Sequence, residues 1–332
     1  MSVRETLFLG RAEVRRLLSM ETVLPVVEAA FAAHGRGKTR MPPKIYLDLP
    51  EFKGDFRAMP AYIPSLKAAG VKWVSSHTAN PERGLPAVIA VLILSDPETA
   101  EPLAVMDATH ITLMRTGAAG GVGARYLARE DSSILALVGA GVQSHAQLDA
   151  IRLVRPIREV RLADPNPAAI KTFMDHFGSD SSLKIVTCAE TRDAVAGADI
   201  VVTTTPSRKP VVQRAWVEDG THINAIGADA VGKQELETAI LADARVFIDD
   251  HEQATHSGEV NVPVSQGEWS ADQLAGTLGA VVAGLSPGRS GAGDITVFDS
   301  TGLAVQDMAV ARAVYDLALK EKVGQSLPLA SD

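Results

Sequence analysis

The stretch Leu135-Ala-Leu-Val-Gly-Ala-Gly-Val-Gln-Ser-His145 decides the fold that the sequence predicts. Its apolar run ends at Val138 and passes through Gly139 and Gly141 into a polar, helix-prone segment. Such a turn needs glycine, and the helix that follows points its free N–H groups at a phosphate. Ser144 replaces the third glycine of G-x-G-x-x-G and is small enough for the helix to pack on the strand. We interpret the stretch as the strand, turn and helix of a dinucleotide-binding unit.

An acidic residue follows at the place where such a unit holds a ribose. The β-type run Glu159-Val-Arg-Leu-Ala-Asp164 ends in a carboxylate about 25 residues after Gly139. A carboxylate there binds the ribose hydroxyls of NAD, whereas NADP carries a phosphate at that position. The spacing predicts NAD as the cofactor, although Asp164 precedes Pro165 and an Asp-Pro pair also begins ordinary turns.

Composition limits the class of protein. The chain has 332 residues, of which 46% are hydrophobic and 22% charged, and its net charge is −8. The acidic balance argues against a nucleic-acid partner, and no apolar run approaches the roughly 20 residues of a membrane span. The first residues lack the apolar core of a signal peptide, so we expect a cytoplasmic protein. A single Cys188 excludes an internal disulfide, and the eight histidines lack ligand spacing, so we expect no metal.

The order of predicted elements indicates two domains of an α/β protein. Strands alternate with helices from Ile134 onward, which is typical of a Rossmann-type doubly wound parallel sheet. The earlier part of the chain has a helix and several strands in an α+β arrangement, and a long amphipathic helix beginning at Leu303 returns to it. We place the Rossmann domain at 116–302 and the α+β domain at 1–115 with the C-terminal 303–332.

Polar residues follow two strands of the predicted parallel sheet. Thr203-Thr-Thr-Pro-Ser207 ends one strand and Asn224-Ala-Ile-Gly-Ala-Asp229 ends the next. The threonines are either β-branched filler of a strand or groups that border a nicotinamide ribose. Asp229 lies beside a glycine-rich bend, where a carboxylate could exchange protons, or it caps a helix beginning at Lys233.

Basic residues interrupt the apolar strands of the first domain. Lys44, Arg57 and Lys72 lie within or beside strand-like runs. Each alone could face solvent, but three cations on neighbouring strands of an acidic protein favour an anion pocket, with a substrate carboxylate as its ligand. A desolvated Lys72 near other cations would have a lowered pKa and could act as acid or base.

The chain resembles the ornithine cyclodeaminase and mu-crystallin family over nearly its whole length. The resemblance rests on Arg115-Thr-Gly-Ala-Ala119, Val138-Gly-Ala-Gly-Val-Gln-Ser144, Asn224-Ala-Ile-Gly-Ala-Asp-Ala-Val-Gly-Lys-Gln-Glu-Leu236 and Val297-Phe-Asp-Ser-Thr-Gly302. Within the family, the segments Met41-Pro-Pro-Lys-Ile-Tyr-Leu47 and Arg57-Ala-Met-Pro-Ala61 are similar to the archaeal-type alanine dehydrogenase branch.

The resemblance implies a role for each matching residue. Lys44 and Arg57 would hold the substrate carboxylate, with Lys72 beside it as proton donor or acceptor, and Asp229 matches the catalytic base of the cyclodeaminases. The residues implied at the cofactor are Arg115, Thr116, Gly139, Gly141, Val142, Gln143, Asp164, Thr205, Ala225, Ile226, Gly227, Lys233 and Ser300. The family is typically dimeric, so the first domain would bind substrate and form a homodimer by pairing sheets between subunits.

One difference from the cyclodeaminases favours a small substrate. The cyclodeaminases carry a glutamate where this chain has Arg57, and a threonine near the cofactor where it has Ala87. The resemblance therefore implies an NAD-dependent dehydrogenase that converts L-alanine reversibly to pyruvate and ammonia. Alternatives on the same scaffold are an ornithine cyclodeaminase, a reductase of cyclic imines of the pyrroline-2-carboxylate type, and a mu-crystallin-like protein that binds NAD(P)H and a small ligand.

Overall fold

The computed structural model describes residues 5–329 and divides the chain into two compact units. One comprises Met1–Arg115 and Leu303–Asp332, and we call it the mixed-sheet unit; the other comprises Thr116–Gly302, and we call it the Rossmann unit.

Strands and helices cover most of both units. The strands are β1 Glu5–Leu9, β2 Ile45–Leu49, β3 Gly54–Ile63, β4 Ala68–His77, β5 Val88–Ser95, β6 Pro102–Asp107, β7 Ile134–Val138, β8 Glu159–Ala163, β9 Lys184–Thr187, β10 Ile200–Thr203, β11 His222–Ala225, β12 Arg245–Ile248, β13 Gly276–Thr277, β14 Thr296–Asp299 and β15 Gln325–Pro328. The α-helices are α1 Arg11–Leu17, α2 Met20–Gly35, α3 Thr109–Leu127, α4 Val142–Arg152, α5 Pro167–Phe177, α6 Thr191–Val195, α7 Thr238–Asp243, α8 His251–Ser257, α9 Asn261–Ser265, α10 Leu278–Val282 and α11 Ala304–Glu321.

The mixed-sheet unit is built on a seven-stranded sheet in the order β15-β1-β6-β5-β4-β3-β2. The neighbours from β6 to β2 run antiparallel, and β1 pairs with β6 in parallel. In this register Lys72 lies opposite Met59 on β3 and Leu92 on β5. Because side chains alternate between the faces of a sheet, these three residues share one face, and α11 packs against β3, β4 and β5.

The opposite face of this sheet carries exposed apolar side chains. Trp73 and Val91 are partners across β4 and β5, and each is 44% exposed. The other large apolar residues exposed on the described strands of this sheet are Ile45, Leu47, Ile89, Ile93 and Leu327. A patch of this kind on a rigid sheet is typical of a protein interface.

The Rossmann unit has an eight-stranded sheet in the order β13-β12-β14-β11-β10-β7-β8-β9, in which every pairing is parallel. The chain moves outward from β7 through β8 and β9, then returns to the other side of β7 with β10. Leu135 and Leu137 enter one buried apolar cluster while Ala136 and Val138 enter another, so both faces of β7 are covered. The predicted Rossmann-type fold is confirmed, and β7 and β10 flank its switch point.

Among residues 5–329, no single helix is both long and apolar enough to cross a membrane. The bent pair Arg11–Leu17 and Met20–Gly35, with an angle of 86° between the helices, passes the same criteria of length and composition together.

Candidate functional site

The glycine turn after β7 adopts a conformation that suits a phosphate. Gly139 has a φ of +105°, and a Cβ there would lie 2.8 Å from Thr204 Oγ1, so a side chain is excluded by both backbone and neighbour. Gly141 is the N-cap of α4, no side chain caps the helix, and no heavy atom lies within 4 Å of the place of a Cβ. The turn at the beginning of this 11-residue helix is therefore open beside Gly141, where the first N–H groups of a helix favour a phosphate.

Ser144 takes the place of the third glycine without loss of packing. Its side chain is fully buried, and its hydroxyl donates to Gly141 O at 2.6 Å. Val142, one of the residues assigned to the cofactor, is 73% exposed at the first position of the helix.

The Asp164 carboxylate stabilises the same turn through hydrogen bonds. Its Oδ2 accepts from Ala140 N at 2.7 Å and its Oδ1 accepts from Asn166 N at 2.7 Å. Each carboxylate oxygen can accept more than one hydrogen bond, so the group retains capacity for a ribose hydroxyl. Asp164 thus follows β8 directly beside the glycine turn and at the same time begins a local turn.

A buried acid that the sequence analysis did not identify connects the ends of β10 and β11. Glu235 Oε1 accepts from the backbone N and the hydroxyl of Thr205, while Oε2 accepts from Thr203 Oγ1 and from Gly227 N. Burial raises the pKa of Glu235, whereas these four donors lower it. The threonines are therefore more than filler of the strand, because two of them fix this carboxylate at the carboxyl edge of the sheet.

Glu259 supports Glu235 from a neighbouring loop. It is fully buried and accepts from the backbone N–H groups of Glu235 and Leu236. Burial raises the pKa of Glu259 well above its usual range, and the charge of Glu235 raises it further. Nothing in the sequence distinguished either glutamate from a surface residue, because their partners are mostly backbone groups of other loops.

Two residues assigned to the cofactor carry buried polar atoms that lack partners in the described structure. Gln143 Nε2 and Ser300 Oγ find no hydrogen-bond partner among residues 5–329. Unsatisfied buried polar atoms are rare in native proteins, and an absent ligand is one explanation. With the glycine turn, the Asp164 carboxylate, Gln143 at the start of α4 and Ser300 directly after β14, the residues fit a dinucleotide.

Other cofactor assignments fall at the same edge of the sheet. Ala225 ends β11, buried Ile226 follows it, and Ser300 N donates to Ala225 O at 3.0 Å. Thr116 lies in α3, where its carbonyl accepts from Gln147 Nε2 at 3.0 Å.

Asp229 forms an ion pair with Lys233. The distance from Lys233 Nζ to Asp229 Oδ1 is 2.6 Å, and Lys233 Nζ also donates to Gly227 O at 3.4 Å. No helix begins at Lys233, since the next one starts at Thr238. The interpretation of Asp229 as a helix N-cap is wrong, and the carboxylate and ammonium group form a partly exposed pair after β11.

The mixed-sheet unit contains a completely buried lysine. Lys72 on β4 has no solvent exposure, and its Nζ lies 2.8 Å from Asp307 Oδ2 on α11. The pKa of Lys72 is lowered to about 7, chiefly by burial and also by the positive charges of Arg115 and Lys44, while Asp307 opposes this shift. A lysine with this pKa exchanges its proton readily near neutral pH. The alternative that Lys72 faces solvent is wrong.

Arg57 is also buried, but it has a carboxylate partner that the sequence analysis did not consider. Its Nε and Nη2 donate to Asp55 Oδ1 and Oδ2, both at 2.9 Å, and its guanidinium lies 5.4 Å from the centre of the Tyr46 ring. The residue is 8% exposed, so it does not simply face solvent. Because Asp55 offsets the charge of Arg57, the presence of an arginine in place of the glutamate of the cyclodeaminases is a weaker argument against a diamino acid substrate than the sequence suggested.

Arg115 contacts Asp307, the carboxylate that also pairs with Lys72. Its Nε donates to Asp307 Oδ1 at 3.1 Å and its Nη1 donates to Gln306 Oε1 at 3.2 Å. Asp307 is fully buried and was not identified from the sequence. The sequence did contain a signal for Asp307, namely an acid on the apolar face of the predicted C-terminal helix. A carboxylate at such a position needs a buried cation as its partner.

These observations describe two groups of residues. Lys44, Arg57, Lys72, Arg115 and Asp307 form what we call the cationic site of the mixed-sheet unit, and the carboxyl ends of β7, β8, β10, β11 and β14 form the candidate cofactor site of the Rossmann unit. Within 5–329, no group of three or more His, Cys, Asp or Glu side chains is arranged to hold a metal ion.

Comparison with known families gives this arrangement a context. The model of the ornithine cyclodeaminase/mu-crystallin family matches residues 4–322. The chain belongs to this family. The resemblance inferred from the four motifs is thereby confirmed.

Relatives in the family include dehydrogenases and imine reductases. Alanine dehydrogenase of Archaeoglobus fulgidus is 50% identical over 323 residues, which cover 97% of this chain and 98% of the relative. A solved archaeal alanine dehydrogenase, a dimer with bound NAD, superposes with a TM-score of 0.93 at 50% identity, covering 97% of this chain and 99% of that one. The Δ1-pyrroline-2-carboxylate reductase of Thermococcus litoralis, solved with NADH and L-proline, gives a TM-score of 0.94 at 36% identity, covering 97% and 100%.

Proposed function

We propose that the protein is an NAD-dependent amino acid dehydrogenase that converts L-alanine, NAD and water reversibly to pyruvate, ammonium and NADH with release of a proton. The observation that carries the proposal is Lys72, a fully buried lysine whose pKa is about 7 within a cationic site. The 50% identity to the alanine dehydrogenase of Archaeoglobus fulgidus favours alanine among the amino acids.

The cationic site would bind the substrate and move its proton. Lys44 and Arg57 hold the carboxylate, for which a guanidinium and an ammonium group are suitable partners. Neutral Lys72 takes a proton from the substrate ammonium group, and in the reverse direction charged Lys72 returns it. Asp229, paired with Lys233, is the second candidate for proton transfer.

The candidate cofactor site would hold NAD. The N–H groups at the start of α4 bind the pyrophosphate, Asp164 accepts from the adenosine ribose, and Thr205, Gly227 and Ser300 line the nicotinamide half. NAD, when bound, supplies the nicotinamide ring that takes the hydride from the substrate Cα. The free polar atoms of Gln143 and Ser300 support a ligand at this place.

A reductase of cyclic imines is the second candidate function. The relative from Thermococcus litoralis, solved with NADH and L-proline, spans the whole of the same fold. A cyclic imine carries the same carboxylate beside the reacting carbon as the imine of pyruvate does. The cationic site therefore suits both substrates, and the size of the substrate pocket would decide between them.

The exposed apolar face of the mixed sheet would form a homodimer. Trp73 and Val91 lie near its middle strands, and the exposed isoleucines of β2 and β5 extend the patch. The solved archaeal alanine dehydrogenase is a dimer, which supports the same assembly for this chain.

One assay separates the candidate functions. Purified protein is supplied with NAD and alanine, ornithine, proline or arginine while NADH absorbance and ammonia release are followed, and with NADH and either pyruvate plus ammonia or pyrroline-2-carboxylate. NADH formation with alanine supports the proposal. Reduction of pyrroline-2-carboxylate alone supports the imine reductase, ammonia from ornithine without net NADH indicates a cyclodeaminase, and NADH binding without turnover indicates a binding protein.

A further inference from the structure

Asp307 occupies an unusual position for a carboxylate. It lies in the first turn of α11 with no solvent exposure, and its neighbours Val305 and Met308 are also fully buried. A buried charge is strongly unfavourable unless it is paired and hydrogen-bonded. Asp307 is paired on both sides, because Oδ1 lies 3.1 Å from Arg115 Nε and Oδ2 lies 2.8 Å from Lys72 Nζ.

The backbone around this carboxylate is fixed by close packing. Gly70 precedes Lys72 by two residues on β4, so both face α11. A Cβ at Gly70 would lie 3.1 Å from Met308 Sδ and 2.1 Å from Ile93 O. The absence of a side chain at Gly70 therefore leaves room for the backbone of β5 and for the end of the Met308 side chain on α11, beside Asp307.

We propose that Asp307 is the positioning residue of the cationic site: its two carboxylate oxygens hold Lys72 and Arg115 in place and set the charge that Lys72 carries at neutral pH. The inference rests on the proposed function, in which Lys72 moves a proton. Asp307 itself need not touch the substrate, because it acts through the two cations.

The charges around Lys72 explain why one carboxylate has this influence. Arg115 on α3 and Lys44 before β2 disfavour a charged Lys72, and so does burial. Arg57 lies on the same face of β3 but is paired with Asp55, and the cross-strand partners Met59 and Leu92 carry no charge. Asp307 is therefore the carboxylate that opposes these effects and keeps Lys72 able both to accept and to release a proton near pH 7.

The decisive variant is Asp307→Asn, which keeps the shape and removes the charge. Loss of an opposite charge at this distance should move the titration of Lys72 to lower pH by about 1–3 units. The ascending limb of kcat/KM for alanine against pH should move in the same direction. Asp307→Glu, which keeps the carboxylate, should restore much of the normal titration of Lys72. Asp316→Asn, at an exposed ion pair with Arg312 on the same helix, is the control and should change neither the titration of Lys72 nor the pH profile of kcat/KM.

The titration itself is measured without substrate, by ¹³C NMR of lysine-labelled protein in which the Lys72 Cε signal is assigned by its loss in Lys72→Met. If wild-type protein does not turn over alanine, the proposed function fails, yet the titration still decides the role of Asp307. A Lys72 titration that is unchanged in folded Asp307→Asn overturns the inference. Should that variant fail to fold, the double variant Arg115→Met/Asp307→Asn, which leaves no unpaired guanidinium beside the amide, is compared with Arg115→Met: Lys72 should titrate at lower pH in the double variant, and equal values overturn the inference.

Discussion

The two units differ in how their candidate sites are constructed. The candidate cofactor site uses turns that directly follow strands, and its donors for a phosphate are backbone N–H groups at the start of α4. The cationic site uses charged side chains from separate elements, and its central contact joins Lys72 to Asp307, 235 positions later in the chain. The glycine turn of the first site is determined locally, whereas the second site depends on tertiary packing.

The difference has a functional consequence. A turn of backbone donors can bind a phosphate with little dependence on pH, since peptide groups do not titrate near neutrality. A buried lysine responds to every charge around it, as the effects of Arg115, Lys44 and Asp307 on Lys72 illustrate. We therefore expect variants of the Rossmann unit to change cofactor binding and variants of the cationic site to change turnover and its pH dependence.

The largest effect is expected from Lys72→Met, which removes the proton carrier but retains an unbranched side chain. Turnover of alanine should fall by about 1,000-fold, within the range for loss of a general acid or base. The dissociation constant of NADH, measured by its fluorescence, should stay within about twofold, because Lys72 is not assigned to the cofactor.

Lys67→Met is the matched control for that experiment. Lys67 immediately precedes β4 and forms an exposed ion pair with Glu98, so its loss should leave turnover unchanged. An equal loss of NADH binding and turnover in Lys72→Met would contradict the division of roles between the two units.

A large effect on assembly is expected from Val91→Arg. Val91 lies in the middle of the exposed apolar face, and a charge there would be desolvated in both subunits of a symmetric dimer. The dimer dissociation constant should rise by about 100-fold or more, measured by analytical ultracentrifugation over a range of concentrations. Leu153→Arg, at an exposed leucine after α4, is the control, and a Val91→Arg protein that dimerises normally would exclude this face as the interface.

A smaller and more selective effect is expected from Asp164→Ser. The serine can still accept from a neighbouring N–H but no longer repels a 2′-phosphate. The ratio of NADP to NAD in kcat/KM should rise by about 10-fold or more, since a charged hydrogen bond contributes about 1.5–3 kcal/mol. The pH profile of alanine turnover should not shift, in contrast to Asp307→Asn. A shifted profile with unchanged cofactor preference would reverse the roles that we assign to the two sites.

The same difference explains what the sequence could predict. Gly139, Gly141 and Asp164 lie within one strand–turn–helix–strand segment whose spacing is itself the signal, and the structure places them together at the ends of β7 and β8. The Rossmann-type fold follows from the alternation of strands and helices from Ile134 onward. Local periodicity and turn chemistry thus suffice for the fold and for this part of the candidate site.

The partners of the charged residues could not be predicted in this way. Lys72 was recognised as a possible acid or base, but Asp307 lies in a helix that the sequence describes only as amphipathic. Asp55 is two residues from Arg57 on the same strand, and its bidentate contact depends on side-chain conformation. Pairing of buried charges is a tertiary property, because a carboxylate anywhere in the chain can satisfy the same cation.

The smallest effect is expected from Glu259→Gln, which tests whether the Rossmann unit also contains a pH-sensitive charge. The pKa of Glu259 is raised in the folded protein above the ordinary value of 4.5, so the folded state binds its proton more tightly than the unfolded state does. This contribution to stability is complete below about pH 4.5 and is lost as the pH rises through the folded pKa, by at most about 1.4 kcal/mol per pH unit.

Urea unfolding measures the free energy of unfolding from pH 5 to pH 8, and this free energy should decline less in Glu259→Gln than in wild type. Glu235 is responsible for part of the decline that remains in the variant. Glu268→Gln, at an exposed site, should show the same decline as wild type. Equal slopes in variant and wild type would mean that Glu259 is ionised throughout this range. Of the two buried glutamates, Glu235 alone would then add a pH-dependent charge to the Rossmann unit, and the contrast with the cationic site would be sharper.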